Sequence, residues 1–179
     1  QNCEVFTQEI DEFVQKENLK KLKKIDGLLF GFPCNDFSLV GKNKKLKGEY
    51  GGLYKRACDA LDYLKPNFFV AENVTSIGKT FKTEEEHRRE AQKNHLASTN
   101  YKNFKQIMGD LANCTKYGYR IYADNYKFEE YGVPQTRHRM ILVGFRDDFF
   151  TKNKINFERM EKSNEPAVTC KKALEKIPK

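Results

Sequence analysis

Short apolar runs alternate along the chain with longer amphipathic stretches, the pattern of strands joined by helical crossovers. Residues 3–7 (CEVFT) predict a strand. Residues 9–24 predict a helix, with Ile10, Phe13, Val14, Leu19 and Leu22 forming an apolar face among lysines. IDGLLF (25–30) predicts a second strand and NFFVAENV (67–74) a third. Between them, YGGLYKRACDALDYL (50–64) sets Leu53, Ala57, Ala60, Leu61 and Leu64 at helical spacing, and KPN ends it. Residues 78–100 are charged and lack an apolar face. Glu84 with Arg88 and Glu85 with Arg89 support an exposed helical turn there, within a solvated insertion. A helix over 101–117 turns Phe104, Ile107, Met108 and Leu111 inward. GYRIYADNYKF (118–128) and RMILVGFR (139–146) predict two last strands. The turn EEYGVPQ between them is too short for a helical crossover, so the pair is expected to be antiparallel. The fold class is α/β.

The chain has 179 residues, enough for one domain with a real core. A net charge of +8 is compatible with an acidic partner and equally with a basic balance spread over every face. Five cysteines, at 3, 34, 58, 114 and 170, are odd in number and form no CxxC or zinc-spaced cluster, which fits a reducing, intracellular compartment and no metal site. No apolar run approaches the ~20 residues of a membrane helix, so no membrane partner is expected. Residue 1 is Gln, and the sequence opens in what reads as mid-strand, so a fragment or processed piece is expected.

Ligands in open α/β sheets bind at the carboxyl ends of the strands, and polar residues stand at those ends here. GFPCNDFS (31–38) follows the second predicted strand, ENV (72–74) ends the third, and PQTRHR (134–139) leads into the last. Cys34 is either a nucleophile, since thiolate is the strongest side-chain nucleophile near neutral pH, or an inert thiol. Glu72 is either a buried hydrogen-bonding acid or a solvated strand end. Arg137 and Arg139, two apart at a strand entry, point to the same face and suit a phosphate or a polar base edge.

GFPCNDFS, ENV and YGVPQTRHRMILVGFR, in this order, resemble the signature blocks of the cytosine-5 DNA methyltransferases: a Pro-Cys block, a Glu-Asn-Val block and a Gln-x-Arg-x-Arg block. GGLYKRACDAL and PAVTCKKALEKIP also resemble family segments, so the likeness covers most of the chain outside the charged insertion. The resemblance implies a base-flipping enzyme acting on double-stranded DNA with S-adenosylmethionine. Cys34 would attack C6 of the flipped cytosine. Glu72 would meet its N3 and exocyclic amine, Asn73 would hold that loop, and Arg139 would contact O2. Arg137 would brace the site or touch phosphate, and Gln135 would lie near the water that accepts the C5 proton. The stretch from Ser38 to Gly51, with Lys42, Lys44, Lys45 and Lys47, corresponds to the family's mobile loop, which together with Asn35 would grip DNA.

There are departures from the family pattern. Asn35 stands where Gln is the commoner form. The sequence contains no glycine-rich FxGxG cofactor loop, no acidic residue ending the strand after it, and no closing asparagine-containing block. Remaining cofactor contacts would come from Glu9, Ile10, Pro33 and Leu53. The expected fold is therefore the carboxyl-side half of a Rossmann-like methyltransferase sheet, strands three to seven, with the last antiparallel. Residues 1–150 would form a partial catalytic domain and 151–179 a connector toward a target-recognition domain. The missing parts would lie on the same chain or on a complementary chain carrying the cofactor loop. Localisation would be cytoplasm or nucleoid, or nucleus in a eukaryote. Two other readings stay open: a non-catalytic DNA-associating fragment or subunit, and a tRNA cytosine-5 methyltransferase of the same fold.

Overall fold

A computed structural model describes residues 4–22, 24–33, 52–75 and 95–175, without the side chains of 95–102. In chain order the elements are α1 (Ile10–Phe13), α2 (Lys16–Leu19), β1 (Gly27–Gly31), α3 (Tyr54–Leu64), β2 (Phe68–Val74), α4 (His95–Asn113), β3 (Tyr119–Lys127), a 3-10 turn (Phe128–Tyr131), β4 (His138–Arg146), α5 (Asp147–Asn153) and α6 (Cys170–Leu174). The strands form one sheet in the order β1-β2-β4-β3. β1 and β2 are parallel, and β4 runs antiparallel to both β2 and β3. This is the α/β architecture expected from the sequence, with the last strand antiparallel.

Alternation along the strands decides which face is covered. In β2, Phe69, Ala71 and Asn73 are buried while Phe68, Val70 and Glu72 are not; in β4, Met140 and Leu142 are buried on that same side. Helices α3 and α4 cover this face. Phe104, Ile107 and Leu111 of α4 recur at helical spacing and join Leu61, Phe69, Met140 and Leu142 in one core. The Phe69 ring meets Tyr119 edge-on at 5.2 Å and Phe30 at 5.7 Å. Tyr54, at the start of α3 and 1% exposed, donates its hydroxyl to Asp110 of α4. Burial and then that carboxylate push the Tyr54 hydroxyl well above its ordinary pKa.

The far end of the sheet is closed by backbone chemistry. Lys65 ends α3 in the left-handed region (φ 49°), and the buried Pro66 follows it. The Pro66 carbonyl accepts the Tyr119 hydroxyl at 2.9 Å, and the Lys65 carbonyl accepts from the Arg146 guanidinium. On the second face, Phe157 packs on Tyr122 (4.9 Å) and Phe145 (5.5 Å), and Arg159 bonds Asp124 and the Asn125 carbonyl, so residues 155–163 lie along β3 and β4.

Three expectations are corrected. Residues 4–7 do not join the sheet: Val5 is 77% exposed, and Phe6 packs on Phe13 instead. The helix expected over 9–24 is two short ones. Gln15 turns to an extended conformation while its side-chain amide takes the Asp11 carbonyl and that of Asn18 takes the Glu12 carbonyl, so side chains terminate α1. Ile10 faces outward at 47% exposure, whereas Val14 and Leu19 are buried. Finally, α4 begins at His95, inside the stretch read as a solvated insertion, and ends at Asn113, four residues early. Gly118, at φ 71°, then turns the chain into β3. The Glu84–Arg88 and Glu85–Arg89 pairs lie outside the described residues. No helix among the described residues is long and apolar enough to cross a membrane.

Gly144 faces Phe69 in the β2–β4 register, and a Cβ there would stand 2.2 Å from Phe69 Cε1. Gly144→Ala forces a fully buried ring to move, so unfolding by denaturant should show a loss of about 1–3 kcal/mol. A stability equal to the unsubstituted protein would mean that this packing is looser than described.

Candidate active site at the carboxyl edge of the sheet

The register gathers the polar strand ends along one edge. Gly31 lies opposite Glu72, Val74 opposite Arg139, and Lys127 opposite His138. The exits of β1, β2 and β3 therefore meet the entrance of β4, as a ligand site in this architecture requires.

Glu72 is the centre of the cluster. Its Oε1 accepts from Arg137 Nη2 at 3.2 Å and forms an ion pair with Arg139 Nε at 2.6 Å. Arg139 lies on β4, and Arg137 stands just before it on the same side, so both reach one carboxylate across the strand pair. The side chains of Glu72 and Arg137 are 40% and 39% exposed, and that of Arg139 is 22% exposed. Of the two readings left open for Glu72, a buried acid and a solvated strand end, the structure gives a solvent-reached carboxylate between two guanidinium groups. It lies on the sheet face that α3 and α4 do not cover. Arg139 also donates to the His138 carbonyl at 2.8 Å.

Asn73, the next residue, points to the opposite face and is 2% exposed. Its Nδ2 donates to the Phe32 carbonyl at 3.0 Å, and its Oδ1 accepts from the Val74 N–H at 2.8 Å. A single amide thereby ties the exit of β1, immediately before Pro33, to the exit of β2. Phe32, in turn, lies 6.2 Å from the Tyr54 ring, bringing Pro33 beside the start of α3 and Leu53. Asp11 pairs with Arg56 and links the segment after Glu9 and Ile10 to the same helix. Pro33 and Leu53 are half-buried, whereas Glu9 and Ile10 are exposed.

Gln135 is exposed in the turn before β4, where its backbone N–H bonds the Val133 carbonyl; among the described contacts, Glu72 is met by Arg137 and Arg139 rather than by Gln135. Cys34, Asn35, Ser38, Lys42, Lys44, Lys45 and Lys47 lie outside the described residues. One contributor was not anticipated from sequence: Glu129, in the 3-10 turn, bonds both the His138 ring and the Arg137 backbone. The hairpin register, with Lys127 opposite His138, was the signal that places it there.

As a donor and acceptor set, a carboxylate flanked by two guanidinium groups matches a planar ring edge that offers an amine, a ring nitrogen and a carbonyl oxygen. Arginine supplies donors only and the carboxylate supplies the acceptor, so the two roles are separated by residue.

Asn73→Leu keeps the volume but orphans the Phe32 carbonyl and the Val74 N–H. Each orphan costs about 1–3 kcal/mol, so calorimetry on the intact protein should show a clear drop in unfolding temperature. An unchanged temperature would show that the amide does not join the two strand exits.

A profile of the family described as C-5 cytosine-specific DNA methylase matches residues 1–179. The chain is 42% identical over 129 residues to the type II methyltransferase M.BbvI of Brevibacillus brevis, covering 72% of this chain and 30% of that protein. It is 33% identical to the type II methyltransferase M.NgoFVII of Neisseria gonorrhoeae, covering 98% of this chain and 44% of that protein. The chain thus spans less than half the length of these curated relatives. Among solved structures, a DNA modification methyltransferase encoded within an E. coli prophage superimposes with a TM-score of 0.55 at 22% identity, over 96% of this chain and 41% of that one. The fold is the Rossmann-like methyltransferase fold, and with the profile spanning every residue, the chain belongs to the C-5 cytosine-specific DNA methylase family.

Proposed function

We propose that the protein containing this chain methylates carbon 5 of cytosine in double-stranded DNA, in a restriction-modification setting, with the base turned out of the duplex into the edge site. The observation that carries this reading is the Glu72 carboxylate held by Arg139 and Arg137 at the carboxyl edge of a methyltransferase sheet. Membership of the family supports it, as do relatives named type II methyltransferases.

In this reading the Cys34 thiolate adds to C6, forming a carbon–sulfur bond as the C5–C6 double bond opens. The electron pair moves toward N3 and O2. Glu72 holds a proton at N3 and accepts from the exocyclic amine, and Arg139 donates to O2, so both neutralise the charge that the addition creates. Arg137 braces the carboxylate or takes a phosphate. Once C5 carries its new group, loss of the C5 proton, to a water near Gln135, expels the Cys34 thiolate and restores the ring. Asn35, Ser38, Lys42, Lys44, Lys45 and Lys47 would contact the DNA backbone.

The residues at the β1–α3 corner fit S-adenosylmethionine: the half-buried Pro33 and Leu53 and the exposed Ile10 offer apolar surface to an adenine, and the exposed Glu9 carboxylate offers an acceptor for ribose hydroxyls. When bound, that cofactor supplies an electrophilic methyl group. The reading puts the protein in the compartment that holds the DNA.

With the intact protein, duplex DNA carrying 5-fluorocytosine should form a stable adduct, because fluorine replaces the proton that must leave. Cys34→Ser should abolish the adduct, seen as loss of the shifted band on a denaturing gel. Cys58→Ser and Cys114→Ser, at thiols on α3 and just after α4 that pack against the core, should leave it intact. An undiminished adduct in Cys34→Ser would overturn the assignment.

A further inference from the structure

The hairpin that delivers the two arginines has an irregular closure, and its chemistry is specific. Lys127 and His138 are the last registered pair of β3 and β4. One step farther out, the Phe128 N–H still donates to the Arg137 carbonyl at 2.9 Å. The reciprocal bond is not made, because the 3-10 turn takes the Phe128 carbonyl for itself: the Gly132 and Val133 N–H groups both donate to it, with Gly132 at φ 80°. That leaves the Arg137 N–H without its ladder acceptor. The Glu129 carboxylate fills the place. Its Oε2 accepts from the Arg137 N–H at 3.3 Å, and its Oε1 meets His138 Nε2 at 2.8 Å. The peptide units on either side of Arg137 are thus gripped, one by the Phe128 backbone and one by a side chain. From this backbone Arg137 and Arg139 both reach Glu72.

We propose that Glu129 is a positioning residue for the reaction: its carboxylate, standing in for a strand carbonyl, sets the backbone from which Arg137, and through it the paired Arg139, are aimed at Glu72. The inference rests on the methyl-transfer reading above and deepens it. Glu129 touches no reacting atom in this account. Its carboxyl is held below the usual range by its own backbone N–H and next by the His138 ring, so it stays an acceptor at neutral pH.

The geometry explains why a half-buried glutamate outside the cluster would matter. A guanidinium on a long side chain is placed only as well as its backbone, and small misplacements of groups that contact a reacting ring cost up to about a hundredfold in rate. Removing the acceptor frees the Arg137 N–H to seek water and lets the turn swing.

The test compares Glu129→Leu and Glu129→Gln in the intact protein, each alone and with Arg137→Ala. Glu129→Leu should lower the single-turnover rate of methyl transfer to duplex DNA about tenfold, with KM for DNA and the unfolding temperature unchanged. Glu129→Gln, which keeps an oxygen acceptor, should restore most of the rate. In the Arg137→Ala background, Glu129→Leu should cost clearly less than it does alone, because the backbone N–H is still there to be released but only the aim of Arg139 remains to be lost. Amide hydrogen exchange at Arg137 should accelerate in Glu129→Leu and not in Glu129→Gln, a readout that does not depend on methylation. Four results would overturn the proposal: an unchanged rate in Glu129→Leu, a loss that tracks a lowered unfolding temperature, a loss fully additive to Arg137→Ala, or unaltered exchange at Arg137. If the unsubstituted protein transfers no methyl group to cytosine, the functional reading fails, while the exchange measurement still decides the anchor.

Discussion

One carboxylate and two guanidinium groups tie the edge of this sheet together. Glu72 belongs to β2, and Arg139 and Arg137 belong to β4 and the turn before it, so the cluster forms only where an antiparallel strand lies beside a parallel one. Had β4 run parallel to β2, its entrance would lie at the opposite edge and the arginines could not reach Glu72. Strand direction is therefore the constraint from which the site follows. The pair is solvent-reached, so its contribution to stability is modest, on the order of 1 kcal/mol or less; its consequence is chemical.

The core serves that edge. Gly144 and Gly27 let the rings of Phe69 and Phe68 lie directly over the neighbouring strands on opposite faces of the sheet. Asn73, beside Glu72 but on the buried side, uses both ends of its amide to hold the β1 exit against the β2 exit. Strand alternation thus sends two consecutive residues to opposite faces: Glu72 to the two arginines and Asn73 to the Phe32 carbonyl. Glu129 completes the arrangement from the hairpin side.

Much of this was legible in the sequence because it rests on short-range rules. Runs such as NFFVAENV and RMILVGFR gave their strands, the length of EEYGVPQ set the antiparallel direction, and the two-residue spacing of Arg137 and Arg139 put them on one side. What was not legible depends on partners. CEVFT has strand composition, but the sheet does not take up its residues 4–7. The apolar spacing over 9–24 suits one helix, yet the amides of Gln15 and Asn18 capture carbonyls and break it. For Glu72 the sequence left a buried acid and a solvated strand end both open, and only the packing of the helices shows that its side of the strand is the uncovered one. Glu129 looked like a turn residue, since its role appears only once Phe128 has given its carbonyl to the 3-10 turn.

The central claim is that the Glu72 carboxylate is the acid of a cytosine pocket and not merely a partner for two arginines. The most direct measurement is the single-turnover rate of methyl transfer to duplex DNA by the intact protein carrying Glu72→Gln, together with its affinity for the same DNA. The amide keeps the size and a hydrogen-bond acceptor for the arginines but cannot hand a proton to N3. The account predicts a rate lower by about 10²–10⁴-fold, with affinity for DNA little changed. A rate within a few fold of the unsubstituted protein would contradict it.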